Sequence, residues 1–315
     1  EAEQFNPKES FLFLNHTLQS PQISLLTPGT VGWVPEDFVE CFILSGYRRL
    51  HCSAQECLAS VLQPTNETLN FWTHFIPLLL FLSRFGRLLL LRGAGDVPFH
   101  HPALLPLWCY ASGVLLTFAM SCTAHLFSCL SPRLRAAFFY LDYASISYYG
   151  FASTVAYSYY LLPGLSLLDA GVLSRYVMAC PIMLESLIFD LRTRNPTLFV
   201  YFYRRYFWLL VAAFFNVSKI PERIQPGLFD IVGHSHQLFH IFTFLSIYDQ
   251  VHYVEDGLAE FLKAAPAAPT YLGTVGYMLL LMVFGLQSTA ILLESLSVIT
   301  VACEAQSHCG FGTRT

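Results

Sequence analysis

Long apolar runs, each close to the thickness of a bilayer and separated by short polar stretches, constrain this chain more than any other feature. They fall at 71–91, 102–130, 136–162, 197–217, 228–248 and 270–302. About 20 apolar residues in a helix cross a hydrocarbon core. Only 12% of the 315 residues are charged, about half the share usual in a soluble domain. The fold class that follows is all-α, a polytopic membrane helical bundle. Its expected organisation is a mostly polar head over 1–70, a transmembrane bundle over 71–303 and a polar tail over 304–315. No basic-then-apolar signal peptide opens the chain, so the first span is expected to direct insertion. A net charge of -4 gives no reason to expect nucleic acid as a partner.

The run at 228–248 contains the most informative pair, His236 and His240. Residues four apart lie one turn apart on one helical face, so both imidazoles can reach a single ion. On a solvated face such a pair would mean little. Here it continues into Ile241, Phe242, Phe244 and Leu245, and ionisable groups at membrane depth usually mark function. A third ligand is then expected from another helix. Short-loop basic charge supplies the geometry for finding it. Arg133 and Arg135 lie between the second and third runs, and Lys219 and Arg223 lie before the histidine helix. With both loops and the amino terminus cytoplasmic, His125 falls at the cytoplasmic end of the second run, level with His236 and His240.

Three imidazoles leave one position of a tetrahedral zinc open, the pattern of catalytic rather than closed structural sites. Ser121, four residues before His125, shares its face. Asp142, two turns into the third run, could orient a ligand or act as a base toward water activated by the ion. Ser121 and Asp142 are therefore the candidate catalytic partners. The other histidines, among them His74, His100, His101 and His234, read as loop or interface residues. Arg84 and Arg87 read as snorkelling at the end of the first run. The nine cysteines form no C-x-x-C and read as small buried hydrophobes. Glycosylation triplets begin at Asn15, Asn66 and Asn216, a signal too short to be specific.

The run from Thr65-Asn66-Glu67-Thr68 to Thr73-His74, together with Ser121-x-x-x-His125, Phe139-Tyr140-Leu141-Asp142-Tyr143 and Ile220-Pro221-Glu222-Arg223 through His240, resembles the progestin and adipoQ receptors. The resemblance extends from about Val34 to Met282, with gaps. It implies a heptahelical core with a cytoplasmic amino terminus, an extra helix at the carboxyl end, and zinc held at His125, His236 and His240. Against the family pattern the stretch between Leu168 and Met178 is nearly absent, as though the fourth and fifth helix region were deleted. The histidines share a level only if 176–189 is re-entrant or interfacial, and that arrangement is expected. The resemblance implies a plasma-membrane receptor for a progestin-like steroid or other lipid, signalling through G proteins, with its ligand in an aromatic-rich cavity inside the bundle. A competing reading is a zinc-dependent intramembrane amidase of ceramide-like lipids. A third is a non-catalytic or truncated membrane protein in which zinc merely ties helices together.

Overall fold

The computed structural model describes residues 29–90, 97–161, 196–264 and 268–309. A small head precedes the bundle. Its strands β1 (Gly29–Thr30) and β2 (Ser45–Tyr47) pair antiparallel. The short helix α1 (Ala54–Ser60) follows, opened by a capping box in which Ser53 and Glu56 satisfy each other's backbone N–H groups.

Among the described residues six long helices then alternate in direction: α2 (Thr68–Leu90), α3 (Leu105–Phe127), α4 (Pro132–Tyr160), α5 (Pro196–Ser218), α6 (Ser235–Ala264) and α7 (Tyr277–Cys309). Ser131 begins α4 by accepting the Leu134 N–H, with Pro132 in the first turn. Of these, α2, α3 with its leading turn, and the first part of α7 are long and apolar enough to cross a membrane by composition alone. Among the described residues the architecture is thus an all-α membrane bundle with almost no sheet.

Where the ends lie decides whether a site can assemble. Tyr160, at the end of α4, donates to the Ala103 carbonyl and accepts the Leu107 N–H at the start of α3. Leu161 abuts Gly257 in the second half of α6. Near the start of α5, Tyr201 stacks on His252 of α6 at 5.0 Å, while Phe215 near its end stacks on Phe242. The end of α4 and the start of α5 therefore face the same end of the bundle. The direction this gives α6 sets His236 and His240 level with His125. The shortened region around 163–190 lies outside the described residues.

Two expectations need correction. The helix carrying the histidine pair is not 228–248 but Ser235–Ala264. Residues 221–234 form turns, and the helix runs on because its charges are partnered: Asp249 with Arg204 and Trp208, Glu255 with Arg84. Arg84 accordingly does not snorkel. Its guanidinium points into the bundle, 2.5–2.9 Å from Glu255 and 3.1 Å from the His252 ring.

Small residues let α3 and α4 approach closely. A Cβ added at Gly113 would lie 2.8 Å from the Ala152 Cβ and 3.0 Å from the Tyr149 Cα, atoms that cannot swing aside. Gly113→Ala is therefore expected to lower stability by about 1–3 kcal/mol through overpacking. The check is the thermal unfolding midpoint in detergent. Gly150→Ala, with nothing within 4 Å of its added Cβ, should leave that midpoint unchanged or raise it.

Candidate metal centre

The head end of the bundle gathers the last turn of α3, the first turns of α2 and α6, and the loop before α6. His125 sits in the last turn of α3, where carbonyls lack intrahelical partners. Arg48 of the head supplies donors. Its guanidinium contacts the His125 carbonyl at 2.5 Å, the Leu126 carbonyl at 2.7 Å and Ser128 Oγ at 2.7 Å. A buried cation at a helix carboxyl end also suits the macrodipole.

On α6 the first turn is set by Glu222, whose carboxylate accepts the Ser235 N–H at 2.7 Å and the Ser235 hydroxyl. Gln237 bonds back to Gly233 and Ile231, pinning the loop against the helix. These contacts fix the rotation of α6 and so the aim of the two histidines it carries.

The candidate ligand atoms of His125, His236 and His240 all lie within 4.8 Å of one another. The Nε2 atoms of His125 and His236 are 3.3 Å apart. Two nitrogens about 2.0–2.1 Å from one tetrahedral zinc stand roughly 3.3–3.4 Å apart.

The opposite ring nitrogens decide the tautomers. His125 Nδ1–H donates to Glu67 Oε2 at 2.7 Å. His240 Nδ1 lies 3.1 Å from the Asn70 carbonyl, a pure acceptor, and 3.1 Å from Thr73 Oγ1. Both rings thereby present an Nε2 lone pair to the common centre. Lone pairs converging in a dry site favour a cation between them, and the all-imidazole donor set suits zinc.

Glu67 is the residue that sequence reading missed. It is buried, and Asn70 Nδ2 donates to the same Oε2 at 2.8 Å. Burial pushes its carboxyl pKa up, but the His125 ring, Arg48 and Asn70 outweigh this and hold it well below the usual carboxylate range. His74, expected at a loop or interface, is buried instead. Its ring stacks on His240 at 3.7 Å, and its Nδ1 lies 2.7 Å from Ser121 Oγ. His234 is also buried, its Nε2 3.2 Å from the Asn66 carbonyl. Glu67, the residue just before α2, stands three before Asn70, which stands four before His74, so the three share one face. That polar stripe in an apolar helix was the available signal. Asn66 is itself buried, which removes it as a glycosylation site.

The structure does not gather the two candidate catalytic residues into this cluster equally. Ser121 reaches it through His74. Asp142 is buried on α4 but outside the group of ligand atoms, and among the described residues its carboxylate makes no hydrogen bond. A cavity of about 310 Å³ opens onto His125 and His236 from the head side, with Glu67, Asn70, Arg135 and Lys219 in its wall.

A model of the haemolysin-III-related family matches residues 62–180 and 172–251. The chain belongs to this family, that of the progestin and adipoQ receptors. Membrane progestin receptor delta of Homo sapiens is 36% identical over 71% of this chain and 77% of its own length. Membrane progestin receptor gamma-A of Danio rerio is 31% identical over 82% and 91%. Membrane progestin receptor alpha of Homo sapiens is 30% identical over 76% and 81%. The two matched stretches overlap at 172–180.

Replacing the partner that orients a metal-binding imidazole commonly lowers metal affinity by about 10–100-fold. Glu67→Gln keeps the size and an acceptor but removes the charge, so zinc affinity should fall within that range. Competition with a chromophoric chelator measures it, and an unchanged affinity would show that Glu67 does not orient His125.

Proposed function

We propose that this member of the receptor family is a plasma-membrane receptor for a progestin-like steroid, with zinc held by His125, His236 and His240. The observation that carries the metal is the convergence of the three rings, with centroids 4.4–5.1 Å apart, two of them, His125 and His236, lining a head-side cavity. The relatives named as membrane progestin receptors support the ligand class. The head and the triad end are taken to face the cytoplasm, on the short-loop basic charge of Arg133, Arg135, Lys219 and Arg223. Coupling to G proteins belongs to the same proposal.

The head-side cavity is lined by polar as well as aromatic side chains. The bundle's aromatics pack on one another, as Phe81 does with Phe118 and Phe244 at 5.5 and 5.9 Å. At about 310 Å³ the head-side cavity is at the small end of ligand pockets. Phe139 and Tyr143 offer it apolar surface, and Arg135 and Lys219 offer hydrogen-bond donors. That combination suits an apolar body with a polar terminus, which describes a keto-steroid and equally a lipid amide.

One observation favours the second reading, a zinc-dependent lipid amidase: the metal ligands open onto a cavity, which a purely structural zinc has no need of. Bound there, zinc would supply Lewis acidity. His125 and His236 would present that centre to the cavity, while Glu67 and the Asn70 carbonyl hold His125 and His240 in the productive tautomer. Asp142, buried and without a hydrogen bond among the described residues, is the base available to take a proton.

Saturable binding of a radiolabelled progestin to purified protein, with no turnover of a ceramide substrate, is the outcome expected for the receptor. Loss of stoichiometric zinc in His240→Ala is expected on either reading. Amide hydrolysis that vanishes in Asp142→Ala while zinc is retained would establish the enzyme instead, and absence of saturable steroid binding would overturn the receptor.

A further inference from the structure

Beside the Arg48 clamp, and outside the metal centre, three thiols come together. Cys57 of α1 and Cys129, in the turn after α3, are buried with their sulfurs 3.4 Å apart. Cys52 belongs to the same cluster, its thiol donating to the Arg49 carbonyl at 2.8 Å. We propose that Cys57 and Cys129 are a redox-active dithiol that closes to a disulfide when the protein meets a hydroperoxide, tying the head to the turn that follows the His125 helix.

Geometry is the first support. The sulfurs, 3.4 Å apart, must approach by about 1.3 Å to reach the ~2.05 Å bond of a disulfide. The second is access. A small pocket, with room for one water-sized molecule at about 20 Å³, reaches Cys129 between Arg48, Ser128 and Glu67. The third is the local charge. The Cys57 hydrogen bond and the Arg48 guanidinium draw the Cys129 thiol below the usual thiol range, while Cys57 is pushed up by its bond to Cys129 and by burial. One sulfur is thus disposed to attack and its neighbour to hold the proton until it is needed. Buried cysteines serving only as small hydrophobes do not need this pairing.

The chemistry balances within the pair and one oxidant. The Cys129 thiolate attacks a peroxide oxygen, the O–O bond breaks, and the second oxygen leaves as water or an alcohol after taking a proton. Cys129 is then a sulfenic acid. Cys57 attacks that sulfur and loses its proton, the S–O bond breaks, and the hydroxyl leaves as water. Two thiols are oxidised by two electrons, and one hydroperoxide is reduced.

The consequence is positional. Cys129 lies four residues beyond His125, and Arg48 grips the carbonyls of His125 and Leu126 between the two. A disulfide would fasten α1 to that turn and make the head's seat on the bundle covalent. This does not depend on what the metal centre binds.

The test uses the full-length protein in lipid nanodiscs, treated with hydrogen peroxide, alkylated after denaturation and mapped by mass spectrometry without reduction. The expected result is a linked Cys57–Cys129 peptide, loss of alkylation at both sites together, and recovery of both with a thiol reductant. Cys52→Ser should keep the link. Cys57→Ser should leave a Cys129 sulfenic acid that a cyclic diketone traps. The proposal is overturned if both residues stay fully alkylatable under conditions that oxidise the exposed Cys41, or if Cys129 links to Cys52 instead of Cys57.

Discussion

Burying imidazoles at one end of an apolar bundle is costly wherever a ring nitrogen facing protein lacks a partner, as His74 Nε2 does among the described residues. A buried polar group left without one costs about 1–3 kcal/mol, and a charged one costs more. The Glu67–His125 contact, at 2.7 Å and nearly free of solvent, is where this requirement is met most tightly. It binds the start of α2 to the end of α3 and commits the other His125 nitrogen to the space shared with α6. The Asn70 carbonyl does the same for His240, and Arg48 supplies the donors that the end of α3 lacks. The head is therefore part of the site's foundation, since without it the last turn of α3 would have no fixed end.

A second polar layer lies deeper, where the reading by hydropathy fails. Arg84 with Glu255, and Asp249 with Arg204 and Trp208, pair across α2, α5 and α6. A lone charge at membrane depth is expensive, by about 2.5 kcal/mol or more even on translocon-based scales. These groups are tolerated because they face one another. Tyr149, Gln250, Tyr157 and Arg205 extend the layer as a hydrogen-bonded chain. The two layers sit on opposite sides of an aromatic core that includes Phe81, Phe118 and Phe244, which explains how a helix as charged as α6 runs from Ser235 to Ala264.

What was legible in the sequence follows from the same physics. The bundle class was readable because low charge and long apolar runs leave few alternatives. The pairing of His236 with His240 was readable because helical periodicity is local. The level of His125 was expected from the loop charges, and the structure brings its ring to those of His236 and His240. The bounds of α6 were not legible: Asp249 and Glu255 look like a loop until their partners on other helices are known. Glu67 and His74 were hidden for a related reason. Their roles depend on what α3 and α6 bring to them, and a single strand of sequence shows only that a polar stripe lies on α2. Arg84 was misassigned because a charge near a helix end reads as reaching outward, whereas Glu255 and His252 draw it inward.

The proposed site would place three imidazole nitrogens, one from α3 and two from α6, around a single zinc ion. X-ray absorption at the zinc edge on purified full-length protein tests this without reference to any ligand or activity. The predicted result is one zinc per chain, with a first shell of nitrogen and oxygen at about 2.0–2.1 Å and imidazole scattering from three rings. Substoichiometric zinc, or a shell containing sulfur at about 2.3 Å, would contradict it.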